Sequence, residues 1–223
     1  GTPGLVLIAT DGELYGHHQQ FRDLFLQRLV APRSDAANPG FDIVDLASAL
    51  DEPLDRPFRP TRIHERTSWS CHHGVARWSA ECADAADGRW KGPLRAALER
   101  LAAGIDALTE ALCLAMPREP DPWAARDGYI DVIARVEPPA AFAARHLGDR
   151  APAAHRRRFL ELMEAQRWRL AMFASDGWYW DDPVRAETRQ VLRAAARAAR
   201  LAQGPAGPPL ERRLPNTVNA RFK

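Results

Sequence analysis

The chain has 223 residues, of which 46% are hydrophobic and 27% charged, an ordinary balance for a globular protein and enough length for one substantial core or one domain with a helical appendage. Its 31 basic and 29 acidic side chains leave a formal charge of +2, so there is no global field to draw in nucleic acid or an anionic membrane. No apolar segment approaches the roughly 20 residues that cross a bilayer, the start lacks a signal-peptide pattern, and the three cysteines, Cys71, Cys82 and Cys113, have no framework spacing, which suits reduced thiols in a cytoplasmic protein.

Leu5–Ala9 is a short uninterrupted apolar run of the kind that a strand buried on both faces requires. Asp11 comes where that strand would end, the edge at which parallel α/β architectures gather reactive groups, and this makes it the first candidate for chemistry. Such a strand needs neighbours on both sides, so a chain opening on one reads as the C-terminal part of something longer. Phe21, Leu24, Phe25 and Leu29 recur at helical spacing and predict a helix over 15–30. Residues 32–40 read as a loop, 41–50 as a second short helix, and 51–60, with three prolines, as an irregular connection. One more short strand is expected within 62–70, leading into TSWSC.

From Pro93 the pattern changes to long amphipathic helices. Leu94, Leu98, Leu101, Ile105, Leu108 and Leu112 form one apolar stripe that stops at Pro117. Asp121 with Pro122 is an N-cap with proline in the first turn, opening a helix that carries Trp123, Ile130 and Ile133. Phe159, Met163, Leu170 and Phe173 stripe a third long helix, and a second Asp-Pro pair at Asp182 and Pro183 launches an alanine-rich helix to about Gln203. These faces need one another and predict a bundle, with close contact near Ala196–Ala199. Residues 204–223 read as a Pro/Gly-rich tail.

Three clusters combine polar, aromatic and glycine residues beside regular elements: Asp11–His18, Thr67–Trp78 (TSWSCHHGVARW) and Ser175–Asp182 (SDGWYWDD). Aromatic faces next to carboxylates suit the stacking of sugar rings. Each residue also has a plainer reading. Asp11 fits a turn or helix-cap aspartate, Glu13 a first-turn residue favoured by the helix dipole, and Trp78 core packing. His17, His18, His72 and His73, with Cys71 and Cys82 nearby, invite a metal. Adjacent helical histidines point about 100° apart, however, and no CxxC or HExxH spacing is present, so neither a metal nor any other cofactor is expected. HRRR at 155–158 reads as a solvated face, and DPWAARD as a capped helix start with Arg126 paired to a neighbouring acid.

ATDGELYGHH, TSWSCHHGVARW, DPWAARDGYIDVI and SDGWYWDD...ETRQVLRAAARAARLA, in that order, resemble the C-terminal half of proteins related to glycoside hydrolase family 57, in the subgroup whose catalytic half is followed by a helical domain of unknown function. The resemblance spans about Leu5–Ala202. It implies a mainly α chain with a small β part: the last βα units of a (β/α)7 barrel over residues 1–74, an α-helical bundle over 75–203 that completes one wall of the active site, and the tail at 204–223. It also implies retaining catalysis on α-glucans, with Asp11 as general acid/base. The family's glutamate nucleophile has no counterpart in this sequence and would lie in an upstream catalytic half of the same polypeptide, so the chain alone is expected to be inactive. The substrate-binding candidates are His17, His18, Trp69, His72, Asp176, Trp178 and Trp180, with an α-glucan or oligosaccharide as partner. Relatives carry a further cysteine beside the one matching Cys82, where this chain has Ala83 and Asp84. The competing reading is a non-catalytic carbohydrate-binding or scaffolding module.

Overall fold

The computed structural model describes residues 5–31, 41–51, 60–68, 70–85 and 87–204. The chain divides into two compact units, Gly1–Ile63 and His64–Lys223. The division falls ahead of the 74/75 boundary read from sequence, and the segment around His64–Thr67 belongs to the second unit. Gly74, at φ +70°, lies so close to Arg66 that a Cβ there would stand 2.5 Å from its carbonyl oxygen.

In the first unit the described regular structure is a 3-10 turn at Gly12–Leu14, helix α1 (Arg22–Val30) and helix α2 (Leu46–Asp51). The expected helix over 15–30 is shortened to its second half because Gly16 (φ +123°) and Phe21 (φ +65°) turn the backbone out of helical geometry. Leu5–Ala9 is not a strand, and neither are the described residues of 62–70; no strand occurs among the described residues. The physical reason lies in partnership. A strand exists through hydrogen bonds to a neighbouring backbone, and Leu5–Ile8 stand 49–81% exposed with no such neighbour among the described residues.

The second unit is helical: α3 (Lys91–Leu114), α4 (Pro122–Gly128), α5 (Ile130–Ile133), α6 (Pro139–Leu147), α7 (Ala153–Ala171), α8 (Asp176–Tyr179) and α9 (Ala186–Gln203), preceded by a 3-10 turn at Ala76–Trp78. Asp121 caps α4 as its Asp-Pro signature predicts, its Oδ1 accepting from the amides of Trp123 (2.9 Å) and Ala124 (3.3 Å). Arg126 pairs with Asp127 at 2.8 Å. The second Asp-Pro pair behaves differently. Asp182 caps a turn, accepting from the Val184 amide at 2.9 Å, and α9 begins only at Ala186. Helix α6, opened by Pro138–Pro139, was not anticipated in the sequence.

Helix α7 runs along α9, α3 packs on both, and α4 and α6 lie against α7. One core joins α3, α8 and α9 through Leu94, Leu98, Ile105, Trp178 and Val191. In it the small side chains of Ala194, Ala195, Ala198, Ala199 and Ala202 let α9 approach its neighbours closely. A second core gathers Cys113, Phe142, Phe159, Leu162 and Met163. Between them runs a polar seam in which Gln166 donates to Thr109 (3.0 Å) and Asp106 (3.1 Å), and Arg169 forks onto the same Asp106. Arg158 corrects the reading of HRRR as solvated: its guanidinium is largely buried and donates to the carbonyls of Leu201 and Ala202 at the end of α9.

Candidate functional site

In the first unit, Asp11 is exposed and its Oδ1 accepts from the Glu13 amide at 3.1 Å, the geometry of a turn aspartate. His18 Nε2 lies 3.0 Å and His17 Nδ1 3.6 Å from Glu13 Oε2, and all three side chains are more than half exposed. Both histidines of this pair therefore engage Glu13 rather than Asp11. Such a solvated group orders little.

The second unit contains a different kind of cluster. Cys71–Gly74 forms a turn, with the Gly74 amide donating to the Cys71 carbonyl at 3.1 Å, and Cys82–Ala85 forms another, with the Ala85 amide donating to the Cys82 carbonyl at 2.9 Å. Each turn presents two polar side chains at i and i+2: Cys71 with His73, and Cys82 with Asp84. The Sγ atoms are 3.7 Å apart, His73 Nδ1 lies 3.8 and 3.6 Å from them, and Asp84 Oδ2 lies 3.1 Å from that nitrogen and 3.8 Å from Cys71 Sγ. The cysteines are buried, while His73 and Asp84 close the cluster from the rim at 35% and 41% exposure. His72, the histidine singled out from sequence, is 79% exposed, its Nδ1 3.7 Å from Asp84.

This cluster is fastened to the helical core. Arg77 donates to the Asp84 carbonyl at 3.0 Å, and its guanidinium lies over the Tyr179 ring. Lys91, at the head of α3, is completely buried; its Nζ donates to the carbonyls of Arg77 (2.8 Å) and Tyr179 (3.3 Å) and to Asp181 Oδ1 (3.3 Å). Burial pushes this ammonium below its ordinary pKa, and the bond to Asp181 works against that shift. The Trp90 indole donates to the Asp181 carbonyl at 2.7 Å. The sequence reading missed Lys91, yet a signal was there: it stands three residues before Leu94, in phase with the apolar stripe.

The aromatic candidates separate. Trp178 is fully buried in the first core and its indole donates to the Met172 carbonyl at 3.2 Å, so its assignment as a sugar-binding residue is corrected to a packing one. The short α8 turns its ring inward because Gly177 sits directly on α9, where a Cβ would meet Val191 Cγ2 at 2.1 Å. Trp180 is 42% exposed, with the Arg185 guanidinium 4.2 Å above its ring. Asp176 is exposed at the start of α8. Trp78 is half-buried against Tyr179 and packs on the first core, as its plainer reading had it. Trp69 lies outside the described residues.

An all-helical domain approached by a two-turn Cys/His/Cys/Asp clasp is thus the class of structure defined here. The chain belongs to the family described as a domain of unknown function (DUF3536), whose model matches residues 87–220. No curated protein and no solved structure matches it. The matched region covers the helices from α3 onward and leaves both turns of the clasp outside.

Proposed function

We propose that this chain is the distal part of an α-glucan-acting retaining glycoside hydrolase or glucanotransferase. In this reading Asp11 is the general acid/base, residues 1–74 are the last βα units of the barrel, and the helical domain walls the cleft. The observation that carries it is the apolar surface of the first unit. Leu5, Val6, Leu7, Ile8, Phe21 and Phe25 are all exposed, and Ala49 is the one buried residue among the described part of that unit. Side chains of this kind are what a barrel strand and its helix offer to neighbouring strands, and an upstream catalytic half would cover them. The ordered match of four motifs to the glycosidase-related subgroup and the membership in a family of helical domains agree with this.

The chemistry assigns Asp11 half of a pair. A retaining glycosidase holds two carboxyl groups about 5 to 5.5 Å apart, one attacking the anomeric carbon while the other protonates the leaving oxygen and then deprotonates water. Asp11 would supply the proton, and its hydrogen bond to the Glu13 amide fixes the carboxyl plane. Neutral-pH action requires the acid form to persist, which desolvation by the covering half and proximity of the nucleophile would provide. His17, His18, His72, Asp176, Trp180 and Trp69 remain the candidates for contacts to sugar hydroxyls and ring faces.

The test compares the 223-residue chain with the longer polypeptide carrying the upstream half, both assayed on maltooligosaccharides. The chain alone is expected to be inactive and the longer protein active. Asp11→Asn in the longer protein should abolish cleavage of natural glucans while sparing glycosylation by substrates whose leaving group needs no protonation. Hydrolysis by the chain alone that disappears in Asp11→Ala would overturn this division of labour. Glucan binding by the longer protein without turnover would favour the carbohydrate-binding or scaffolding module.

A further inference from the structure

We propose that Cys71, His73, Cys82 and Asp84 form a structural zinc site that clasps residues 71–85 onto the helical domain. The argument rests on the mutual distances of the four donor atoms. A tetrahedral zinc with ordinary bond lengths sets its donors about 3.8 Å apart for two sulfurs, about 3.5 Å for sulfur and nitrogen, and about 3.3 Å for nitrogen and oxygen. The corresponding separations here are 3.7 Å, 3.8 and 3.6 Å, and 3.1 Å. The donor atoms of all four residues lie within 4.8 Å of one another. Four side chains therefore surround one point at the spacing a small tetrahedral ion requires.

Two other chemistries fit less well. A disulfide brings its sulfurs to about 2.05 Å, and this pair stands at 3.7 Å with both thiols free. A Cys-His-Asp catalytic relay uses the two ring nitrogens of the histidine on opposite partners, whereas here Nδ1 alone faces both sulfurs and the carboxylate. Convergence on a single nitrogen is the signature of a shared ligand. Two thiolates, an imidazole and a carboxylate are a borderline-soft set that selects zinc over magnesium or calcium, and a complete protein shell of four leaves no coordination place for a substrate. The site is thus structural.

The surroundings agree with that role. Gly74 holds a positive φ so that the first turn can double back under Arg66, and Arg77 grips the second turn through the Asp84 carbonyl. Two thiolates and a carboxylate around a divalent ion carry one excess negative charge, and this guanidinium lies on the same turn. The metal would lock the two turns to each other while Lys91 locks the intervening 3-10 turn to α8 and to Asp181 beyond it. The inference stands independently of the glycosidase reading.

The experiment is elemental analysis of the chain purified without chelator, with cobalt titration of the metal-stripped protein. One zinc per chain, surviving dialysis, is expected, with cobalt giving the intense visible bands of a tetrahedral site and the near-ultraviolet charge-transfer band of thiolate ligation. Cys82→Ser should lower zinc content to below about one tenth per chain, whereas His72→Ala should leave it at one. Because a cysteine variant can fail to fold, the wild-type cobalt spectrum decides independently. Absence of tetrahedral cobalt bands, zinc lost on dialysis, or a Cys71–Cys82 disulfide in the purified protein would each overturn the proposal.

Discussion

Up to Ile63 the chain holds its apolar side chains out to solvent, whereas the helices from Lys91 onward bury theirs together with four polar side chains, Lys91, Thr109, Gln166 and Thr188. Both regions are rich in leucine, isoleucine and phenylalanine, so composition does not explain the difference. Partnership does. Amphipathic helices find complementary stripes on their own chain within a few tens of residues, while a lone strand candidate cannot satisfy its backbone or cover its faces by itself. The same contrast separates the histidine pairs. His17 and His18 share an exposed glutamate, but His73 is drawn by two turns onto buried sulfurs.

The comparison can be broken most forcefully inside the helical unit. Trp178→Ala removes a fully buried indole together with its hydrogen bond to Met172 and should cost about 4 kcal/mol in urea unfolding of the chain. A loss below about 1 kcal/mol would mean that the core tolerates what the packing forbids. Next comes Lys91→Met, which keeps the volume but leaves two carbonyls and Asp181 without their donor; about 3 kcal/mol is expected by the same measurement.

A pH series sharpens the picture. Burial holds the His146 imidazole below its ordinary pKa, so between its folded and unfolded values the unfolded chain binds more protons and stability falls as the medium is acidified below about pH 6.5. His146→Gln should flatten that part of the profile, read as unfolding midpoints between about pH 7 and about pH 5. At the small end, Val6→Ser alters a residue that buries nothing and should change the stability of the chain by less than about 0.5 kcal/mol. A larger cost would show that the first unit has a core of its own.

Much of the helical architecture was legible because its signals are local. The leucine stripe of α3, the Asp121 cap and the end of α9 at Gln203 come from periodicity and terminus chemistry. Asp182–Pro183 misled because the same dipeptide serves a turn as well as a helix, and α6 was hidden in a proline-led segment of only nine residues. The strands at 5–9 and 62–70 were read from apolar runs, but a run says nothing about whether a neighbour exists to pair with it. The Cys71/Cys82 clasp escaped because the search was for CxxC spacing, whereas the chain repeats a cysteine with His73 or Asp84 two residues later. Burial of Trp178 depends on a tertiary contact, Gly177 against Val191, that no local pattern encodes.

Helices ordinarily fray from the last turn, where carbonyl groups lack partners. In α9 that turn is held by a guanidinium from another helix, since Arg158 bonds the Leu201 and Ala202 carbonyls beside Gly204, which takes φ +66° where an added Cβ would strike Nη1. Unwinding this terminus therefore requires α7 to release it. Its amide protons belong to the slow-exchanging population that opens with the whole bundle, and the edge of the domain is as durable as its middle.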